Sequence, residues 1–243
     1  MKQNAVSTGL ARTLSKYGYC SRSQAWDLVS NGRVRVNGQI VRNPEHRVRV
    51  GADTIAVDDS EIRAAKKIYL MMNKPRGIVT SAEDEKGRAT VYSLLPSGLP
   101  WVAPVGRLDK GSEGLLLLTN DSEWGAPIAS PEAHVSKTYH VQIAAVAGPE
   151  LLRRLRDGVR EESGHMLRVK QASVIRSGAK NSWLEIVLEE GKNRQIRRIM
   201  SALGIEVLRL IRIAIGPLKL GKLAKGKVRE LTSEEVAGLK RRA

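Results

Sequence analysis

Four consecutive leucines, Leu115 to Leu118, constrain this chain more than any other feature. A strand that is apolar at every position must be covered on both faces, so the run belongs in the middle of a sheet. The loop that leads into it is Gly106-Arg107-Leu108-Asp109-Lys110-Gly111-Ser112-Glu113-Gly114. Its glycines permit tight bends and let a partner's backbone or base come close. Asp109 therefore sits on a bend beside a central strand, a place well suited to a reacting group. Local physics equally allows an aspartate that caps its own turn. On this stretch alone both readings stay open.

Elements of sheet and helix surround that loop. Ile68 to Met72 is an apolar strand closed by the turn Asn73-Lys74-Pro75-Arg76-Gly77, and Val91 to Leu95 forms a short helix. Ser136 to Ile143 reads as a strand with Lys137, Tyr139, Val141 and Ile143 on one face. Tyr139 either fills the core there or projects into a pocket and stacks on a base. In Gly191 to Met200, Ile196, Ile199, Met200 and Leu203 recur at helical spacing, and Gly204 closes the helix. Arg194 and Arg198 lie opposite that stripe, while Arg197 sits about 100° from Ile196, at its edge. An edge arginine can lay its stem on the core and offer its guanidinium to a half-buried carboxylate. Glu206 to Ile215 is a further strand, and Thr232-Ser233-Glu234-Glu235 is a capping box that opens a last helix.

The front of the chain has a different texture. Ser21-Arg22-Ser23-Gln24 is a capping box, and the helix it opens should turn Ala25, Trp26, Leu28 and Val29 inward before stopping at Asn31-Gly32. Arg33-Val34-Arg35-Val36 then alternates, valines on one face and arginines on the other, into the hairpin turn Asn37-Gly38. Arg12, Lys16, Arg22, Arg33 and Arg35 would meet RNA phosphates on such a module; a solvated basic face is the alternative. Asp58 to Lys67 is polar and charged, and reads as the linker.

Composition supplies the exclusions. Across 243 residues, 41 Lys and Arg against 25 Asp and Glu leave a net charge of +16, which calls for a polyanionic partner. The single cysteine, Cys20, forms no internal disulfide and suits a reducing compartment. Met1 to Leu10 lacks the apolar core of a signal peptide, and no apolar run is long enough for a membrane span, so a cytoplasmic location is expected. Four histidines beside one cysteine fit no zinc pattern, and no two glycines stand two apart as a dinucleotide fingerprint requires. Neither a metal nor a nucleotide cofactor is expected. With no exposed apolar seam in the sequence, a monomer is expected.

Two resemblances unite these segments. Leu14-x-x-x-Gly18-x-Cys20-Ser21-Arg22-x-x-Ala25, followed by Gly32-x-Val34-x-Val36-Asn37-Gly38, resembles the RNA-binding domain of ribosomal protein S-four. Asn73-Lys74-Pro75-x-Gly77, Arg107-Leu108-Asp109-x-x-Ser112-x-Gly114 with its leucine run, Lys137-x-Tyr139 and Asn193-Arg194-Gln195-Ile196-Arg197-Arg198 resemble the RsuA/RluB/RluE/RluF family of ribosomal RNA pseudouridine synthases. The resemblance implies an α+β protein: a small α/β RNA-binding domain over 8–57, a linker over 58–65, and a catalytic domain over 66–243. That second domain would carry a mixed, mostly antiparallel sheet with a central cleft.

The same resemblance implies site roles. Asp109 would be the catalytic aspartate, Tyr139 the base-stacking tyrosine, and Arg197 the arginine paired with Asp109. Arg107, Lys74 and Lys137 would bind substrate in the cleft, and Arg194 and Arg198 would add to the RNA contacts. A carboxylate in a dry pocket tends to protonate and a nearby guanidinium opposes this, which gives the Arg197 pairing its physical sense. Whether Asp109 attacks the sugar or takes a proton from it is left open. The implied substrate is a uridine in ribosomal RNA or a ribosome-assembly intermediate, with the large subunit favoured over the small. An RNA-binding assembly factor without catalysis, or a methyltransferase behind the same binding module, are the competing classes.

Overall fold

The structure is a computed structural model that describes residues 7–82, 84–161 and 163–241; most of the Met1–Leu10 segment read above lies outside them. The described residues form two compact units. The first runs to Tyr69 and takes in Pro96–Ala103 and Leu118–Ser122; the second holds Leu70–Leu95, Pro104–Leu117 and the chain from Glu123 onward.

The first unit opens with strand β1 (Ser7–Gly9) and helices α1 (Leu10–Lys16) and α2 (Arg22–Ser30), followed by β2 (Val34–Val36), β3 (Gln39–Val41), β4 (Arg47–Arg49), β5 (Ile55–Val57) and β6 (Ser60–Ile62). β1 pairs with β4, and the other four form a sheet in the order β3-β2-β5-β6. The capping box forms as read: Ser21 Oγ accepts from Gln24 N and Gln24 Oε1 accepts from Ser21 N, both at 3.1 Å. Val34 and Val36 are buried while Asn37 and Gly38 both take positive φ, as a two-residue hairpin demands. Leu10, Leu14, Ala25, Val29, Val48, Ile55 and Val57 make the core.

Three expectations fail here. Trp26 is 49% exposed, because Ala25 and Val29 one turn apart fill the inward stripe and place the indole outside it. The stretch 58–65 is not a bare linker. Asp58 and Asp59 adopt left-handed φ of 47° and 63° and turn β5 into β6, a hairpin that lacks the glycine signal. Nor does the compact division follow a single cut at 66. Trp101 N donates to Gly18 O at 2.7 Å and Asn120 Oδ1 accepts from Ile68 N at 2.8 Å, drawing both short segments into the first unit.

The second unit is built on one large sheet. Its elements are β7 (Tyr69–Lys74), β8 (Ala103–Val105), β9 (Glu113–Thr119), α3 (Ser122–Ala129), β10 (Lys137–Ile143), α4 (Pro149–Asp157), β11 (Val159–Arg160), β12 (Met166–Leu167), β13 (Gln171–Ser177), β14 (Ser182–Leu188), α5 (Gln195–Ala202), β15 (Val207–Ile215), β16 (Leu218–Lys219), β17 (Val228–Glu230) and α6 (Ser233–Lys240). Strand order is β13-β14-β10-β15-β9-β7-β17, with β16 beside β15 and β8 beside β9. The sheet is mixed and mostly antiparallel; β9 and β15 run parallel. The leucine strand β9 is buried at every position, between β15 and β7. Gly114 makes that pairing possible. Its φ is 101°, and a Cβ there would lie 2.2 Å from the carbonyl oxygen of Arg212 on β15. The core on one side of the sheet joins Val141, Ile143, Leu184, Ile186 and Leu210 to Leu155 of α4 and Ile196, Ile199 and Met200 of α5. Among the described residues no helix is long and apolar enough to cross a membrane.

Candidate active site

The Asp109 loop is held by its carbonyls. Thr80 Oγ1 donates to Leu108 O at 2.8 Å, and Gly77 N donates to Lys110 O at 2.8 Å. Arg197 Nη2 reaches Gly111 O at 3.0 Å, while Lys74 Nζ bonds Asp109 O at 3.1 Å and Ser112 O at 2.9 Å. Every carbonyl from residue 108 to 112 is thereby fixed. The turn itself closes through the main chain, Ser112 N donating to Asp109 O at 2.9 Å. The Asp109 carboxylate is left one-third exposed, with Arg194 Nη1 at 3.9 Å. A carboxylate that does not cap its own turn, on a loop that cannot swing, is a positioned group.

This geometry corrects two expected roles. Lys74 does not line the cleft. It is fully buried, and its third proton goes to Pro75 O at 3.1 Å, so all its donors serve backbone. Burial pushes its ammonium down to about 8, against the pull of Asp109 and Glu113. The Asn73-Lys74-Pro75-Arg76-Gly77 segment is thus scaffold for the loop. Arg197 is not the ion-pair partner of Asp109 either. Its guanidinium bonds Gly111 O and, at 3.4 Å, Val207 O. Burial holds its pKa below the usual range, and Asp109 acts on it only through space.

Arg194 takes the position near the carboxylate because α5 begins at Gln195, so Arg194 precedes the helix instead of lying on its outer face. Gln195 is buried, donating to Glu190 Oε1 at 2.7 Å and to Arg168 O at 3.0 Å. This fixes Arg194 as the residue before the helix, with a left-handed φ of 49°. Such a backbone costs roughly 1–2 kcal/mol outside glycine. It aims Arg194 at Asp109 instead of at the outer face of a helix.

A cavity of about 360 Å³ opens beside this loop, lined by Arg107, Asp109, Ser112, Lys137, Tyr139, Arg194, Leu210 and Arg212 among others. Arg107 is exposed at it, Tyr139 half-buried and Lys137 buried, as β10 presents them on one face. Arg212 was assigned no role from the sequence. The signal was present: it shares strand parity with buried Leu210, and an arginine at an inward position calls for an explanation.

The other expected RNA contacts divide. Arg12 and Arg22 are exposed and Lys16 half-buried on α1 and α2. Arg33 and Arg35 are not free: Arg33 forms a two-bond pair with Asp58, and Arg35 Nε lies 2.9 Å from Asp59 Oδ1. Arg198 is likewise engaged, donating to both oxygens of Glu161 and to Asn193 O. Among the described residues no cluster of three or more His, Cys, Asp or Glu side chains is arranged to hold a metal ion.

A basic cavity with one carboxylate, one tyrosine and several cations, in a chain whose first unit is also basic, suits chemistry on a nucleic acid. Comparison with known proteins makes the class specific. Residues 68–202 match the RNA pseudouridylate synthase family and residues 8–53 the S4 domain. The chain is 38% identical to an "Uncharacterized RNA pseudouridine synthase" of Aquifex aeolicus, over 93% of this chain and 91% of that one. It is 35% identical to "Ribosomal large subunit pseudouridine synthase B" of Bacillus subtilis, over 95% of each. Among solved structures, one titled "Crystal structure of pseudouridylate synthase" superposes with a TM-score of 0.66 at 30% identity, covering 96% of this chain and 99% of that one. The chain belongs to the RNA pseudouridine synthases, enzymes that isomerise uridine within RNA, and it carries an N-terminal S4 domain.

Proposed function

We propose that this protein converts a specific uridine of large-subunit ribosomal RNA to pseudouridine, with Asp109 as the catalytic group and without a cofactor. The observation that carries this reading is the fixed loop that holds the Asp109 carboxylate at the cavity beside Tyr139. The relative from Bacillus subtilis, by its name an enzyme of the ribosomal large subunit, supports the choice of RNA. Residues 8–57 grip the RNA and residues 66–243 perform the chemistry, in this reading.

The reaction breaks the bond from ribose to ring nitrogen, turns the detached uracil, and bonds the sugar to a ring carbon. Atoms and electrons are conserved overall, so the step calls for no cofactor. It calls for a carboxylate at the anomeric carbon, which Asp109 supplies. The uridine must first leave its stack, at roughly a few kcal/mol. Stacking on Tyr139 offsets part of this, since a base on an aromatic ring is worth about 1–3 kcal/mol. Arg197 acts on the carboxylate through the loop, by holding Gly111 O, and Arg194 sets the local positive charge.

The test is modification of in-vitro transcribed large-subunit ribosomal RNA, with pseudouridine mapped along it. Wild type is expected to modify one position and Asp109→Asn none, with RNA affinity kept. Turnover by Asp109→Asn near the wild-type rate would overturn the role of Asp109. Tyr139→Phe is expected to keep RNA affinity, because stacking survives, and to lower product formation.

A further inference from the structure

We infer that Arg212 and Lys137 form an acceptor for the negative charge that the uracil ring carries while it is detached from the ribose. The inference rests on the isomerisation proposed above and adds a pair of groups to it. Arg212 is 4% exposed and Lys137 8%, yet both line the cavity. Arg212 Nε donates to Leu115 O at 2.7 Å, and its Nη2 is buried without any acceptor. Among the described residues Lys137 has no carboxylate partner. Arg212 lies across from Tyr139 in the β10–β15 ladder, and Lys137 stands two residues before Tyr139 on the same strand face. The two cations and the tyrosine therefore share one face of the sheet at the cavity.

Two unmatched positive charges in one buried site disfavour each other. The Lys137 ammonium is held below its ordinary range by burial first and by Arg212 second. An unpaired buried charge is costly unless an anion arrives to meet it. A phosphate of the RNA would find cations at the exposed rim instead, where Arg107, Lys192 and Arg194 lie. Groups this deep, on the sheet face that carries the stacking tyrosine, are suited to meet a base instead of a phosphate.

Uracil becomes anionic only during reaction. When the bond from C1′ to N1 breaks, its electron pair stays on the ring and spreads over N1, O2 and O4. Asp109 compensates at the sugar, by bonding C1′ or by taking a sugar proton. The ring then turns and C5 bonds C1′. This expels the Asp109 carboxylate from C1′ or, on the other route, goes with return of the sugar proton from Asp109. The ring is then neutral, and the C5 proton passes to N1. A donor pair aimed at the carbonyl edge is strongest while that charge exists, which accelerates the step instead of merely tightening binding.

A leaving-group comparison tests this. Large-subunit ribosomal RNA is transcribed with uridine or with 5-fluorouridine, whose fluorine withdraws charge from the ring, and single-turnover consumption is followed by mass spectrometry of nuclease digests. Arg212→Gln is expected to slow uridine conversion by about 10²–10³-fold, as loss of an oxyanion donor does. Its penalty on the fluorinated RNA should be several-fold smaller, with RNA affinity unchanged and Arg212→Lys partly restored. Lys137→Met should show the same pattern to a lesser degree, and it carries the test if Arg212→Gln fails to fold. Equal losses on both RNAs, or weakened RNA binding by either variant, would overturn the inference. Failure of wild type to convert either RNA would instead overturn the isomerisation itself.

Discussion

The front module and the cavity use the same residue type in opposite ways. In the first unit Arg33, Arg35, Arg49 and Arg63 each meet an acid, Asp58, Asp59, Asp53 and Glu61, and remain largely in water. In the cavity Arg212 and Lys137 are buried and meet none, and Arg197 meets only carbonyls. Exposed ion pairs contribute little to stability. Buried cations without partners are expensive, so they mark where the protein expects charge to come from its substrate. Charge count therefore locates a partner class, while charge burial locates chemistry.

The sharpest break of this comparison is Lys74, a buried cation that is fully engaged. Lys74→Met leaves the carbonyls of Pro75 and Ser112 without donors and takes one of two from Asp109, and each buried unsatisfied group costs about 1–3 kcal/mol, so a loss of about 2 kcal/mol or more is expected. Activity should collapse with it, because the Asp109 loop loses its hold. Denaturant midpoints check the stability, and pH checks the cause. Lys74 titrates at about 8 folded, against an ordinary value of 10.5. Between those values the unfolded chain binds the extra proton, so wild-type stability gains from this group as pH rises. The gap between wild type and Lys74→Met should widen from pH 8 to 10.5 and stay level below 8. A gap of constant size throughout would show that burial does not shift the Lys74 ammonium.

The next contrast separates Arg197, which the sequence pairs with Asp109, from Arg194, which it reads as an RNA contact. Arg197→Gln removes the brace on Gly111 O and is expected to lower kcat by about 10²-fold with KM near wild type, since small misplacements at a reacting group cost that much. Arg194→Gln, at 3.9 Å and half-exposed, should cost less and act more on KM. Similar losses for both would place the carboxylate's support in charge alone.

How much of this was legible before the fold was seen follows the range of each interaction. The capping boxes at Ser21 and Thr232, the Asn37-Gly38 hairpin and the buried leucine strand were readable, because each is decided within a few residues. Strand parity put Tyr139 and Lys137 on one face, the family resemblance assigned them to the cleft, and both line the cavity. What escaped was long-range. Lys74 serves carbonyls up to 38 positions away in sequence, so nothing local distinguishes it from a substrate contact. Arg194 was read on the outer face of the helix, whereas Gln195, bonded to Arg168 and Glu190, is its first residue and leaves Arg194 ahead of it. The Asp58-Asp59 turn hid because only its φ values, not its residue types, show it.

On the front module the comparison predicts a ranking in salt dependence. Arg12 and Arg22 are exposed, while Arg33 and Arg35 must leave acids to reach phosphate. Each phosphate that the protein no longer neutralises reduces the slope of log affinity against log salt by about 0.7–0.9. Arg12→Gln with Arg22→Gln should lower it by about 1.5, and Arg33→Gln with Arg35→Gln by less than half of that. Titrations at several salt concentrations decide it, and the reverse ranking would show that the acids open the arginines to RNA on binding.

The smallest effect is expected at Arg198, which lies on the helix of the site yet behaves like the front arginines. It donates to both oxygens of Glu161 and holds that carboxyl down to about 2. Because the folded value lies below the ordinary 4.5, the pair stabilises the fold fully above pH 4.5, and its contribution disappears as pH falls through about 2. Arg198→Gln should therefore lower the thermal midpoint slightly at pH 7, and the difference from wild type should shrink steadily below pH 4.5. Its salt slope for RNA should match wild type, since a guanidinium committed to an acid adds no phosphate contact. If Arg198→Gln instead flattened the salt slope while leaving the acid limb alone, Arg198 would belong with Arg12 and Arg22 as a group that leaves the protein for the RNA.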